Sequence, residues 1–471
     1  MITAIGGVLV PLCLIFFNRP WKLLALIFFY SVFSAAAIFV VGGAGVTPAL
    51  LPASLFTMTF IVGMLTGTRY PGQRRALILL TPFILVIVGA VLSSIIMPRL
   101  FYGEVYVWPQ KMTIFAQSPL APNAGNYTQD MYLVSDALLT ITAAIYLTRP
   151  GANFSRLLDC YLYASFVAVG ISLWQFLSNT VHIPFPSTFF LSNPGWDLMS
   201  LETVGSMIRL NGPFSEPSSL AAWLSAVVCA SGWLVLHGDK RLMPRIALGL
   251  SFGVVLLSTA TTGFATLGIM GGFLVLRSIA GGSPQFRQRV FAGIIGAMVL
   301  GSIVTVATPV IAPGVAKEAA LVFSSTLNKN QSSSYQDRTA ADHDAVREML
   351  QTSGLGVGWG SDRSSSLVPG LCAGIGLWGI AGFIWFGLML AAQLKKLGRR
   401  TPDPAYRRVV GAAGVAVLST LVSGAVSEPT ISSPDFFLLV GMLVAAAAGA
   451  PQQAVSHVKQ PRYTLKVVSE G

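Results

Sequence analysis

The chain has 471 residues, of which 54% are hydrophobic and only 10% are charged, and its mean hydropathy is +0.69. Because an average soluble domain carries about 25% charged residues, this composition excludes a water-soluble globular fold. The formal net charge is +12, but the basic residues are spread over short loops and do not form one stripe. This spread argues against nucleic acid as a partner and favours a protein that lies in a lipid bilayer.

Apolar runs of roughly the 20 residues that a helix needs to cross the hydrocarbon layer recur along the whole chain. The sequence therefore predicts an all-α polytopic membrane protein with about 13 transmembrane helices (12 to 14). Helices 1 to 10 fill residues 1–312 and helices 11 to 13 fill 371–450, separated by a long loop at 313–370 and followed by a polar tail at 451–471. The predicted helices are 1–17, 21–42, 48–67, 76–97, 130–148, 158–178, 219–236, 246–260, 263–276, 290–312, 371–393, 408–426 and 436–450.

The distribution of charge predicts which loops face which side. If alternate loops are cytoplasmic, they and the tail carry about 22 of the 30 basic residues, as the positive-inside rule requires. The first helix has no basic segment before it and reads as a retained anchor. We expect a multi-pass protein of a bacterial inner membrane, with its amino terminus and its active surface in the periplasm. The outer basic residues are then Arg99, Lys111, Arg209, Lys317, Lys329, Arg338, Arg347 and Arg363.

Three outer segments, 98–129, 179–218 and 313–370, are too long to be simple connections, so function is expected there. A fourth segment, 258–263, turns back within a few residues and is rich in hydroxyl groups. It predicts two short helices or one broken helix.

The first candidate site is Arg209-Leu-Asn-Gly-Pro-Phe-Ser-Glu-Pro-Ser-Ser-Leu-Ala221, which leads from the second outer segment into an apolar helix. Glu216 stands at the amino end of this helix, where its charge is favourable beside the helix dipole. Two interpretations remain open. Glu216 and Arg209 are either a helix-end charge and an interfacial anchor, or catalytic groups.

The second candidate site is in the third outer segment. Residues 335–350 predict an amphipathic helix on the membrane surface, and Arg338 and Arg347 lie on it. Pairing of Arg338 with Asp342, and of Arg347 with His343 or Asp344, would make them a solvated helix face. The glycine-rich stretch 354–366 follows, and we expect its backbone amides to face a ligand, with Gly356, Gly358 and Ser361 as candidate binding residues.

The sequence Asp342-His-Asp344 has the DxD form that some glycosyltransferases use to hold a divalent metal. On a helix, residues i and i+2 point about 200° apart, so the pattern argues against one shared metal ion. His343 is either a general base or an exposed histidine, and Asp344 a candidate binding residue. We expect no metal and no cofactor.

These segments, with the later Ser427-Glu-Pro-Thr-Ile-Ser-Ser-Pro-Asp435, resemble the superfamily of Wzy-type polysaccharide polymerases and O-antigen ligases. The order of the motifs and the helix number are also similar. The resemblance implies a GT-C-like membrane glycosyltransferase that uses sugars linked to undecaprenyl pyrophosphate. Ligases of the superfamily tend to have a histidine where this chain has Asp362-Arg-Ser-Ser-Ser366, so the resemblance favours a polymerase over a ligase. A transporter or flippase is the non-enzymatic alternative.

The implied reaction needs cations to stabilise the leaving pyrophosphate and a base for the acceptor hydroxyl. We expect Glu216 to be the base, and Arg209 with one of Arg338 and Arg347 to bind the pyrophosphate. The other arginine, with Arg363, would bind glycan. The partners implied are the lipid-linked oligosaccharide, the bilayer, a chain-length regulator or co-polymerase, and a flippase.

Overall fold

The computed structural model describes residues 1–110, 116–195, 203–204, 207–311, 320, 324, 333–401, 403–428 and 432–449. The fold is mostly helical. The first eight helices are α1 (Ala4–Ile15), α2 (Pro20–Ser31), α3 (Leu50–Leu65), α4 (Gln73–Leu100), α5 (Ala124–Tyr146), α6 (Phe154–Val181), α7 (Ser187–Phe190) and α8 (Pro217–Leu236). The others are α9 (Leu242–Leu257), α10 (Thr261–Ile279), α11 (Pro284–Ile311), α12 (Ser333–Gln351), α13 (Leu367–Arg400), α14 (Pro404–Ser427) and α15 (Pro434–Ala447).

Six of the described helices are long and apolar enough to cross a membrane: α4, α6, α8, α10, α13 and α14. Five others, α1, α2, α3, α9 and α15, are apolar but shorter. A helix of 12 residues, such as α1 or α2, rises only about 18 Å, so it does not cross the hydrocarbon layer alone. The chain is therefore a helical membrane protein, and the figure of about 13 spans stays a prediction.

The predicted helix 21–42 is wrong in its second half. Helix α2 ends at Ser31, and the strands β1 (Phe39–Val41) and β2 (Ala44–Val46) then pair antiparallel. The turn between them consists of Gly42 and Gly43, which have φ values of +58° and +80°. Such left-handed backbone favours glycine and ends any helix. An apolar run alone did not distinguish this hairpin from a helix.

The outward faces of the long helices are apolar, which is the reverse of a soluble protein. From Leu85 to Leu100 of α4, large exposed apolar side chains recur every three to four residues, and α11 and α13 also carry exposed apolar side chains. Between helices the contacts use small residues, as is common in membranes. Gly441 of α15, for example, lies so close to α5 that a Cβ would come 3.0 Å from the carbonyl oxygen of Thr140.

The sequence predicted two short helices or one broken helix around residues 258–263, and the structure has two helices there, of which the second, α10, is long enough to cross a membrane. Helix α9 ends at Leu257 and α10 begins at Thr261. Two hydroxyl pairs then join α10 to α14: Thr262 with Ser427 (2.6 Å) and Thr266 with Ser423 (2.9 Å). These two pairs fix the position of the end of α14, which Glu428 follows.

A small second core lies outside the main bundle. Its members come from the segment after α4, from α12, from the glycine-rich stretch and from the start of α13, and we call this group the outer cluster: Val105, Val107, Leu120, Ala345, Val357 and Ala373. The strands β3 (Tyr106–Val107) and β4 (Ser118–Pro119) belong to the same region. The outer cluster packs the predicted amphipathic helix, α12, against the protein.

Candidate active site

A buried amide pair holds the turn before α8. Gln175 of α6 donates to Oδ1 of Asn211 (2.6 Å) and accepts from the backbone N–H of Gly212 (2.7 Å), while the Asn211 amide donates to the carbonyl of Phe214 (2.7 Å). Gly212 has a φ of +55°, and a Cβ there would overlap a side chain of α6, so glycine is required. This network fixes where the chain enters α8, and with it the position of Glu216.

Glu216 is the residue immediately before α8, but its side chain does not cap the helix. Instead, its Oε2 accepts a hydrogen bond from the hydroxyl of Ser218 (2.8 Å) and lies 3.7 Å from Nη2 of Arg338. The side chains of Glu216 and Arg338 are 26% and 34% exposed, so the pair contributes only about 0–1 kcal/mol of stability. Its importance is positional, because it joins two motifs that are far apart in the sequence.

The segment Ser427–Asp435 carries two carboxyl groups: Glu428, which lies within electrostatic range of Glu216, and Asp435, which lies within electrostatic range of Glu428. Burial, together with the negative charges of Glu216 and Asp435, raises the pKa of the Glu428 carboxyl to about 7. Asp435, at the start of α15, is 4% exposed and accepts a hydrogen bond at 2.8 Å from Nε1 of Trp223, which belongs to α8. All three motif segments therefore converge. The sequence analysis did not select Glu428 or Asp435 as site residues. The available indication was that both belong to the motif segment Ser427–Asp435.

The two aspartates of Asp342-His-Asp344 contact different parts of the protein. Asp342 accepts hydrogen bonds from the backbone N–H groups of Ser365 (2.7 Å) and Ser366 (3.0 Å). Oδ2 of Asp344 accepts from Nε1 of Trp108 (3.1 Å) and from Gln117 (2.8 Å). Asp342 thus anchors the start of α13 and does not form the expected helix-face pair with Arg338.

The remaining candidate residues differ in their exposure. Arg209 is half-buried and precedes the turn at Asn211. Arg347, Arg363 and His343 are exposed, and within the described ranges no ion pair of these three is found. The expected pairing of Arg347 with His343 or Asp344 therefore does not form.

The glycine-rich stretch packs against α4 and α13, which corrects one expectation. The N–H of Gly356 donates to Oγ1 of Thr352 (2.9 Å), so it does not face a ligand. Gly356 and Gly358 are buried with φ values of +83° and +99°. The hydroxyl of Ser361 is buried and accepts from the amide of Asn126 (2.8 Å). Gly356, Gly358 and Ser361 therefore join neighbouring segments of the protein, and we assign them no ligand contact.

In the part of the chain that the structure describes, no group of three or more histidine, cysteine, aspartate or glutamate side chains has the geometry to hold a metal ion. The polar groups at the meeting point are instead guanidinium and carboxyl groups. Comparison with family models and with curated proteins finds no match to this chain, so the function must be argued from the motifs and from this geometry.

Proposed function

We propose that the chain is a glycosyltransferase that polymerises oligosaccharide repeat units linked to undecaprenyl pyrophosphate into exopolysaccharide or O-antigen, at the periplasmic face of a bacterial inner membrane. The observation that supports this proposal is the convergence of the three motif segments that carry the resemblance. Arg338 lies 3.7 Å from Glu216, and Glu428 and Asp435 lie within electrostatic range of that glutamate or of each other. A group-transfer site needs such a meeting of cations and carboxyl groups.

In the proposed reaction, a hydroxyl oxygen of the acceptor sugar forms a bond to the anomeric carbon of the donor. The bond from that carbon to the pyrophosphate oxygen breaks, and undecaprenyl pyrophosphate leaves with the bonding electrons. Negative charge therefore grows on the leaving group, and guanidinium groups stabilise it because they stay charged and bind phosphate oxygens in pairs. We assign this role to Arg338, together with Arg209.

The proton of the acceptor hydroxyl must pass to a base, and two carboxylates are candidates. The sequence favours Glu216, but the structure gives Glu216 contacts with Arg338 and Ser218. Glu428 has a pKa of about 7, which suits a base that works near neutral pH. We therefore propose that Glu428 takes the proton and that Glu216 aligns Arg338. Arg347 and Arg363, which are exposed, would contact the glycan.

The test is extension of lipid-linked repeat units by the purified protein, with products separated on a gel. We expect Glu216→Gln, Glu428→Gln, Arg209→Ala and Arg338→Ala to leave single repeat units, with rates about 100-fold or more below wild type at normal abundance. Arg99→Ala, an exposed arginine at the end of α4, is the matched control and should form full-length chains. Extension should continue in EDTA. Wild-type chains from both glutamine variants, or activity that EDTA abolishes and magnesium restores, would contradict the proposed mechanism.

The pH profile separates the two candidate bases. If Glu428 is the base, its carboxyl must be ionised, so the wild-type rate should rise as the pH increases through about 7. Because the charge of Glu216 contributes to raising the pKa of Glu428, residual activity of Glu216→Gln should rise at a lower pH than that of wild type. A Glu428→Gln variant with an unchanged rate and profile would return the role of base to Glu216.

A second candidate, a transporter of lipid-linked oligosaccharide, is favoured by two carboxyl groups inside the bundle, Asp136 and Asp435, which are 2% and 4% exposed. The lipid-linked glycans of a deletion strain distinguish the functions. Loss of a polymerase should leave single repeat units that are accessible from the periplasm. Loss of a transporter should confine them to the cytoplasmic side, and loss of a ligase should leave long lipid-linked chains.

A further inference from the structure

Apart from the pair of Glu216 and Arg338, two carboxyl groups face each other: that of Glu348 on α12 and that of Asp362 in the stretch before α13. Glu348 is 2% exposed, and neither of its carboxyl oxygens has a hydrogen-bond donor among the described residues. The same is true of Oδ2 of Asp362, which lies within hydrogen-bonding reach of Glu348. Buried polar atoms are almost always partnered, so this arrangement requires an explanation.

Two ionised carboxylates cannot remain buried side by side, because each loses its hydration and repels the other. One proton between them removes both difficulties, since the protonated group donates to the ionised one. Burial, followed by the negative charge of Asp362, raises the pKa of Glu348 well above its usual range. Burial also raises the pKa of Asp362, although backbone N–H groups of Trp108 and Arg363 oppose the shift.

Among the described residues, no cation is found with the groups that act on the pair. Asp344, one turn before Glu348 on α12, adds further negative charge to both members. From the segment after α4, Trp108 donates its backbone N–H to Oδ1 of Asp362 at 3.0 Å and its Nε1–H to Oδ2 of Asp344 at 3.1 Å. A proton is therefore the simplest group that can neutralise the pair.

The pair lies where three segments meet. Glu348 belongs to α12, Asp362 to the stretch before α13, and Trp108 to the loop that contributes to the outer cluster. Arg338 lies on the same helix, ten residues before Glu348 and hence about 15 Å along its axis. A straight helix that is held at Glu348 also holds the guanidinium of Arg338 in place.

We propose that Glu348 is a positioning residue, which shares one proton with Asp362 and thereby keeps α12 docked so that Arg338 stays beside Glu216. The docking itself is independent of the reaction, and only its catalytic consequence rests on the proposed function. The shared proton makes the docking of α12 sensitive to the pH on the side of the membrane where this helix lies.

The direction of the pH dependence follows from proton binding. When α12 separates, the two carboxyl groups return to their ordinary pKa values near 4 and release the proton, whereas the docked pair retains it at neutral pH. The docked state then binds one proton more than the open state, so docking is strongest at low pH. It weakens about tenfold for each unit by which the pH rises through the neutral range, until the pH passes the raised pKa of Glu348.

Hydrogen–deuterium exchange of the full-length protein in detergent measures this docking directly. Protection of peptides from 340–351, corrected for the intrinsic exchange rate, should fall about 100-fold between pH 6 and pH 8 in wild type. In Glu348→Gln the slope should vanish, because the amide donates to Asp362 without titrating. Asp362→Asn should show the same loss of slope, which keeps the test valid if one variant folds poorly. Asp337→Asn removes an exposed carboxyl from the same helix and should keep the wild-type slope.

A wild-type protection that does not change with pH, or a Glu348→Gln variant that keeps the full slope, would overturn the proposal. An increase in exchange on adding EDTA would also overturn it, because a bound cation and not a proton would then join the carboxylates.

The catalytic consequence has its own readout. Glu348→Gln should retain chain extension and remain active to higher pH than wild type, whereas Glu348→Ala, which leaves the buried Oδ2 of Asp362 without a donor, should lose extension at every pH. If the exchange slope behaves as expected but no variant changes chain extension, the shared proton stands and its role in positioning Arg338 for the reaction fails. If wild type extends no chains at all, the proposed glycosyltransferase function fails while the exchange slope still tests the shared proton.

Discussion

Two tryptophans of α8 differ in one hydrogen bond. Nε1 of Trp223 donates to Asp435 at 2.8 Å, whereas Nε1 of Trp233 is buried and has no acceptor within the described ranges. We expect Trp223→Phe to destabilise the protein by about 1–3 kcal/mol, since a buried carboxyl group loses its donor. Trp233→Phe, the control on the same helix, loses no hydrogen bond. Thermal unfolding in detergent measures both, and equal losses of stability would contradict the role given to the Trp223 bond.

The sequence indicates which residues are chemically important better than it indicates their partners. Arg338 and Asp342 are four residues apart, and helical spacing predicts a pair worth about 0.2–0.5 kcal/mol. Asp342 instead accepts two backbone hydrogen bonds and one hydroxyl from residues 365 and 366, while Arg338 turns to Glu216. Such contacts between distant segments outweigh the local preference, and no local pattern contains them. Glu428 was not selected from the sequence for the same reason, because its neighbour Glu216 is distant in the chain.

The glycine-rich stretch and α13 meet backbone to backbone. A Cβ on Gly356 would come 2.5 Å from the carbonyl oxygen of Ala373, and α13 is kinked there at Gly376, where φ is +63°. Leu377, just after the kink, donates its N–H to the carbonyl of Gly354 at 2.9 Å. The glycines therefore permit close packing. The sequence predicted a flexible ligand-binding backbone because glycine patterns for the two purposes look alike.

Gly356→Ala should accordingly lower stability by about 2 kcal/mol or more, because the new methyl group meets both an unfavourable φ and a backbone oxygen. Gly271→Ala is the matched control, since Gly271 lies within α10 and has open space around it, so alanine should be neutral or slightly stabilising. Thermal unfolding and abundance in membranes measure the difference. An equal effect of the two substitutions would show that the 354–377 contact does not stabilise the protein.

At the scale of elements, the length of an apolar run predicted the long helices well, but it did not predict the hairpin turn. The helices predicted at 76–97 and 158–178 correspond to α4 and α6, with boundaries within a few residues. The hairpin at 39–46 was missed because its strands are as apolar as a membrane helix. Gly42 and Gly43, side by side in that run, were the available signal.

At the scale of the whole molecule, the sidedness still rests on the basic residues of the loops. We expect a reporter fused after Gly471 to be cytoplasmic and one inserted at Ser332 to be periplasmic, both positions lying outside the described residues. The helices α13, α14 and α15 lie between the two reporter positions. If the chain crosses the membrane an odd number of times there, the two reporters must lie on opposite sides. A periplasmic signal at the carboxyl end would reverse the topology and move the proposed active site to the other face.

The hydroxyl pairs between α10 and α14 link positions that are distant in the chain. Thr266 and Ser423 are both 0% exposed and contact each other at 2.9 Å. Loss of one hydroxyl leaves the other buried without its partner, which costs about 1–3 kcal/mol, whereas apolar replacement of both is nearly neutral. We therefore expect the two positions to change together in related sequences: an apolar residue at 266 should accompany an apolar residue at 423, because either change alone leaves a buried hydroxyl without its partner.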